Sequence, residues 1–127
     1  MIDSRNQALV VDDEPEDLQM LCTGLAHLGY DVIPAGDAVS AIRAFYAHRE
    51  TISLVLTDVA MSPMNGCDLA VALLKANPQL RIIFVSGYAG TEAFRYEHRF
   101  SKAFPFLRKP LKLNELEAQV RGILTNV

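Results

Sequence analysis

Cysteine is scarce in this chain: Cys22 and Cys67 are the only two among 127 residues, and they form no CxxC pair. Two distant cysteines make no disulfide framework and suit a reducing cytosol, where each serves as a small buried hydrophobe. Long apolar runs are also missing. The longest stretch without a formal charge, Leu18 to Tyr30 with His27 taken as neutral, contains Gln19, Thr23 and Gly24. A bilayer-spanning helix needs about 20 predominantly apolar residues, so no membrane partner is expected. The first five residues, Met1 to Arg5, lack the basic start and apolar stretch of a signal peptide, so a cytoplasmic location is the expectation. There is no basic excess: 12 Lys and Arg stand against 15 Asp and Glu, a net charge of −3. A direct nucleic-acid binder normally carries a basic balance, and none is expected here. His27, His48 and His98 have no metal-ligand spacing.

What is present is the composition of an ordinary globular domain, 50% hydrophobic and 21% charged. With neither repeat nor linker, residues 1–127 read as one domain, large enough to bury its own core. Short apolar runs recur at Ala8–Val11, Asp31–Ile33, Ile52–Leu56, Ile82–Val85 and Phe104–Leu107. They lack polar alternation, as strands buried on both faces do. Helical patterns lie between them. Leu18, Leu21, Cys22, Leu25 and Leu28 share one face before a stop at Gly29; Ala38, Ala41, Ile42, Phe45 and Tyr46 share another after the cap candidate Asp37. A third pattern, Leu69 to Leu74, ends before Asn77-Pro78. Thr91–Phe100 is a weak fourth, and Asn114–Leu124 a fifth. Five alternating β–α units imply an α/β fold, a doubly wound parallel sheet covered by helices on both faces.

Ligands of such sheets bind beyond the carboxyl ends of the strands. Four of the five strands deliver polar groups there. The first runs into Asp12-Asp13-Glu14, the third ends at Asp58, the fourth at Ser86-Gly87, and the fifth precedes Arg108-Lys109-Pro110. Three carboxylates at one edge raise one another's pKa unless a cation compensates, and a few hard oxygens plus water suit Mg²⁺, or Mn²⁺ in its place. A nearby ammonium and hydroxyl then supply donors for an anion, the usual set for phosphoryl transfer. An aspartate can itself take the phosphoryl group as an acyl phosphate. Taken singly, each group has a plainer reading. Asp12 and Asp13 could cap the helix beginning near Pro15, Asp58 and Ser86-Gly87 could sit in turns, and Lys109 could be a solvated charge.

The ordered set Val10-Val11-Asp12-Asp13-Glu14, Asp58-Val59-Ala60-Met61 with Gly66 eight residues past Asp58, Val85-Ser86-Gly87-Tyr88 and Lys109-Pro110 resembles the receiver domain of two-component response regulators, over roughly residues 6–125. The resemblance implies a five-stranded CheY-like, flavodoxin-like (βα)5 sheet in the order 2-1-3-4-5. It implies Asp58 as phosphoacceptor, and Mg²⁺ held by Asp13, Asp58 and the Ala60 carbonyl, with Asp12 acting mainly through metal-bound water. It implies Ser86, Gly87 and Lys109 on the phosphoryl group, with Lys109 paired to Asp58 before phosphorylation, a cis Lys109-Pro110 bond, and Ser86 with Phe106 as the switch pair. Two departures stand out: Ser62 separates Met61 from Pro63 where the family usually joins Met to Pro, and the switch position holds Phe instead of Tyr. Gly66 keeps its distance from Asp58, so the first is a shifted proline and not an insertion. Met61 and Met64 read as loop-to-core packing.

The function implied is a phosphorylation switch, not turnover of an external substrate. Its phosphodonor partner would be a sensor histidine kinase or a histidine phosphotransfer protein, and the unit would be stand-alone or part of a hybrid sensor kinase or longer regulator. Residues 95–112 hold six basic residues (Arg95, Arg99, Lys102, Arg108, Lys109 and Lys112) against one acid, Glu97. A downstream protein or a second copy docking on the face of residues 90–125 is one reading; a solvated basic face is the other. Three competing functions remain: a phosphorylation-independent scaffold, which the complete residue set disfavours; a flavodoxin-like cofactor binder, which the acidic first loop disfavours; and an aspartate-nucleophile phosphatase, which lacks an acid at Ala60.

Overall fold

The computed structural model describes residues 6–87 and 104–125. The elements are β1 (Gln7–Val11), α1 (Pro15–His27), β2 (Asp31–Ala35), α2 (Ala38–Ala47), β3 (Ile52–Asp58), α3 (Gly66–Ala76), β4 (Arg81–Ser86), β5 (Phe106–Arg108) and α4 (Leu113–Thr125). The strands pair in parallel in the order β2-β1-β3-β4-β5. This is the doubly wound CheY-like arrangement expected. The helical pattern at Thr91–Phe100 lies outside the described residues. No helix among the described residues is long and apolar enough to cross a membrane.

The apolar runs show no polar alternation because both faces of the sheet are covered. Successive strand side chains point to opposite faces. Leu9, Val11, Val55, Ile82 and Phe84 pack with α2 and α3 around Phe45, Leu69 and Leu73. Ala8, Val10, Leu54, Leu56, Ile83 and Val85 pack with α1 and α4 around Leu21, Leu25, Leu116 and Val120. Cys67 and Met61 are buried in the first of these clusters, Met64 packs against it, and Cys22 packs against the second, so all four serve packing.

Most helix ends follow their local chemistry. Gly29 has φ 102° and closes α1, a left-handed position where glycine carries no Cβ penalty. The Asp37 carboxylate accepts the Ser40 amide at 2.7 Å and caps α2, as expected. Asn65 caps α3 in the same way, through the Asp68 amide at 2.8 Å. Glu14 at the start of α1 makes no side-chain cap; Pro15 opens the helix instead.

Strand boundaries depart from the apolar runs that announce them: β2 continues past Ile33 to Ala35, and β5 starts later than its run. Sheet pairing in β5 begins at Phe106, opposite Phe84, and not at Phe104. Pro105 accepts the Phe84 amide at 3.0 Å, but its own nitrogen has no hydrogen to return to the ladder.

Candidate functional site

Register brings the acidic groups together. Val11 of β1 lies beside Thr57 of β3, so the next residues, Asp12 and Asp58, leave adjacent strands side by side. Asp12 and Asp58 are 1% and 3% exposed, while Asp13 reaches solvent. One carboxylate oxygen from each of the three lies within 4.8 Å of the others. Asp12 does not cap α1, whose N-cap is Glu14: its Oδ1 accepts the Glu14 amide at 2.9 Å, holding the turn that precedes the helix, and its Oδ2 faces the pocket.

Lys109, just past β5, turns inward. Its Nζ stands 3.2 Å from Asp12 Oδ2, 3.6 Å from Asp58 Oδ2 and 2.9 Å from Asp17 Oδ2. Burial alone would lower the lysine pKa; the Asp17 hydrogen bond and the charges of Asp58 and Asp12 outweigh it and raise it. The ammonium is therefore a permanent charge here. Burial, reinforced by the Asp12 charge, pushes the Asp58 carboxyl up to about 6 against the pull of Lys109 and the Ala60 amide. Burial also raises Asp12, with the Glu14 amide and Lys109 opposing it. Asp58 Oδ1 is buried and accepts no hydrogen bond. A buried carboxylate oxygen left this way is costly unless a cation or an incoming group completes it.

The remaining expected residues line the same edge. Ser86 ends β4, is buried, and its carbonyl accepts the Lys109 amide at 2.9 Å. Gly87 lies against the Lys109 side chain, where an added Cβ would meet Cδ at 3.4 Å. Ala60 is exposed two residues beyond Asp58. Phe106 is half-buried and stacks on Phe84, with ring centroids 5.0 Å apart and an interplanar angle of 29°. The Lys109-Pro110 bond is cis, as the resemblance implies, and so is Ser62-Pro63. Gly66 closes the loop after β3: its amide donates to the Val59 carbonyl at 2.9 Å, beside the Met61 amide on the same oxygen at 3.0 Å. Among the described residues, Asp17 is a member of the site that sequence reasoning missed. An acid in the first turn of a helix is favoured by the helix dipole wherever it occurs, so its position carries no pointer.

The profile of the family described as "Response regulator receiver domain" matches residues 8–121. The chain belongs to this family. It is a receiver domain of two-component systems, and such domains act as phosphoacceptor switches that bind Mg²⁺ at an acidic pocket. Asp12, Asp13 and Asp58 form an acidic pocket of that kind here. The receiver is 34% identical over 116 residues to the sensor kinase CckA of Brucella abortus, covering 91% of this chain and 12% of CckA. It is 28% identical to the response regulator receiver protein CpdR of the same species, covering 91% of this chain and 94% of CpdR. The receiver domain protein of Clostridium thermocellum superposes with a TM-score of 0.83 at 26% identity, covering 95% of each chain. The chain spans half or less of the length of CckA and of several transcriptional regulators it matches, from 12% to 50%. Receiver domains of this kind thus occur both nearly alone and inside longer proteins.

Proposed function

We propose that Asp58 accepts a phosphoryl group from the phosphohistidine of a sensor histidine kinase or histidine phosphotransfer protein. The observation that carries this reading is the Asp58 carboxylate itself. It is buried, one oxygen accepts no hydrogen bond, and it sits between two further carboxylates and the Lys109 ammonium. An Asp58 oxygen attacks phosphorus, the phosphorus–nitrogen bond breaks, and the imidazole leaves with the bonding electrons.

The donor set fits a hard divalent cation, Mg²⁺ or Mn²⁺: three carboxylate oxygens cluster with too little positive charge between them. Asp13, Asp58 and the Ala60 carbonyl would hold it, with Asp12 reaching it through water; when bound, it neutralises the anionic oxygens of the transferring group. Lys109 pairs with a phosphoryl oxygen, and Ser86, with Gly87 beside it, donates its hydroxyl to another. As Ser86 moves toward the phosphoryl group, Phe106 turns further inward on packing alone, since phenylalanine has no hydroxyl. The change alters the face of residues 90–125, on which a downstream protein or a second copy docks. Residues 88–103 of that face lie outside the described residues. The chain works as one receiver unit over residues 1–127, returns its phosphoryl group to water, and turns over no external substrate.

Intact mass after incubation with a small acyl-phosphate donor tests this. The expected result is a gain of one phosphoryl group that requires Mg²⁺ and is absent in Asp58→Asn. Folded wild-type protein that gains none would overturn the reading in favour of a phosphorylation-independent scaffold.

A further inference from the structure

The shortest ion pair of Lys109 is not with the phosphoacceptor. Its ammonium lies 2.9 Å from Asp17 and 3.6 Å from Asp58, so it is drawn toward the first turn of α1. Asp17 stands outside the cluster of carboxylates that could share a metal ion. Its side chain is about one-third exposed, while those of Asp12 and Asp58 are essentially enclosed. A lysine head group has three donors on a flexible four-carbon stem, so it can exchange one anionic partner for another without moving its backbone. Here the Lys109 backbone is held independently, by its amide on the Ser86 carbonyl.

We propose that Asp17 is a positioning residue: it holds the Lys109 ammonium on the α1 side of the pocket at rest and yields it when an anionic phosphoryl group occupies Asp58. This rests on the reading of Asp58 as phosphoacceptor. Two effects then act with the same sign. Asp17 competes with the phosphoryl oxygens for one ammonium, and its own charge repels them. Both weaken the phosphorylated state relative to the resting one. The exchange also ties α1 to the β5–α4 connection at rest and releases it on phosphorylation, because Lys109 bridges the two.

The test is the affinity of the whole chain for fluoroberyllate, a non-reactive phosphoryl mimic, titrated calorimetrically at saturating Mg²⁺. Asp17→Asn is expected to bind about two- to fivefold more tightly than wild type, the range for a partly exposed ion pair. Asp17→Glu, which keeps the carboxylate, should stay near wild type. Glu16→Gln removes the same charge from an exposed position on the same turn and should also stay near wild type. Unchanged affinity in Asp17→Asn, or equal tightening in Glu16→Gln, would overturn the proposal. In the first case Lys109 is not held back by Asp17, and in the second the effect is general electrostatics. Wild-type protein that binds no fluoroberyllate but is folded would instead remove the reading of Asp58, and the role of Asp17 with it.

Discussion

Gly66→Ala is expected to destabilise the domain by about 3 kcal/mol or more and to impair phosphoryl acceptance in whatever fraction still folds. Overpacking of a tight interior costs about 1–3 kcal/mol, and more when nothing can yield. Little can yield here. A Cβ on Gly66 would lie 2.0 Å from the Asp58 carbonyl oxygen, with the Asp58 carbonyl carbon and the Thr57 hydroxyl each at 2.9 Å. The first two are backbone atoms at the end of β3, and Thr57 is fully buried with its hydroxyl donating to that same carbonyl at 3.0 Å. Relief requires moving the β3 terminus that carries the acceptor. Gly24 provides the contrast. A Cβ there meets Leu113 Cδ2 and Leu116 Cδ2 at 2.9 Å, the far ends of flexible side chains. Alanine also recovers about 0.5–1 kcal/mol of helix preference over glycine. Gly24→Ala should therefore change stability by less than about 1 kcal/mol. Urea unfolding of both variants beside wild type reads the difference as a shift in midpoint. A Gly66→Ala midpoint equal to wild type would mean that the loop after β3 relaxes freely.

Gly66 also marks where sequence reasoning stops. Its eight-residue spacing from Asp58 is visible in the chain, but the reason for glycine is not: the collision partner is a carbonyl eight residues earlier, brought close only by the loop geometry. The sheet itself was largely legible, because strands buried on both faces appear as continuous apolar runs and four of the five runs here feed a polar residue at one edge. The ends of β3 and β4 fall on Asp58 and Ser86, two of the residues the motifs single out. Hydropathy alone does not mark the start of β5, since Phe104 and Phe106 are equally apolar; the mark is Pro105 between them, which has no hydrogen for the ladder. The spacing of Phe106 from Lys109 marks it, but its stacking on Phe84 depends on the β4–β5 register, which no local pattern encodes. Asp17 was hidden for the opposite reason: its local setting is so ordinary that nothing separates a helix-start acid from a partner of Lys109.

In protein free of divalent cations at pH 7.5, Asp58→Asn is expected to be more stable than wild type, by about 2 kcal/mol. Asparagine keeps the shape of the side chain and removes a charge that the site holds at a loss. Burial and the Asp12 charge raise the Asp58 carboxyl from 3.8 to about 6. At about 1.4 kcal/mol per pH decade, ionising it in the native state costs about 3 kcal/mol more than in the unfolded chain. The buried amide gives back part of that gain, since its donors face Lys109. The sign follows from which state binds the proton more tightly. That is the native state, so wild type loses stability relative to the variant as pH rises from about 3.8 to about 6, and the gap is constant above that window. Below it Asp58 is protonated in both states and the gap closes. Lys109 is not stranded by the substitution, because Asp12 and Asp17 still face it. Mg²⁺ should act the other way: a cation that binds the native wild type stabilises it by mass action, by about 2.7 kcal/mol at a hundredfold excess over its Kd, and the variant lacks one of the carboxylates that hold it. Urea midpoints of the two proteins from pH 4 to 8, with and without Mg²⁺, check this. A variant less stable than wild type at pH 7.5 without metal, or a gap that ignores pH, would show that the Asp58 charge is compensated at rest. The resting acceptor would then hold no electrostatic tension for a cation or a phosphoryl group to relieve.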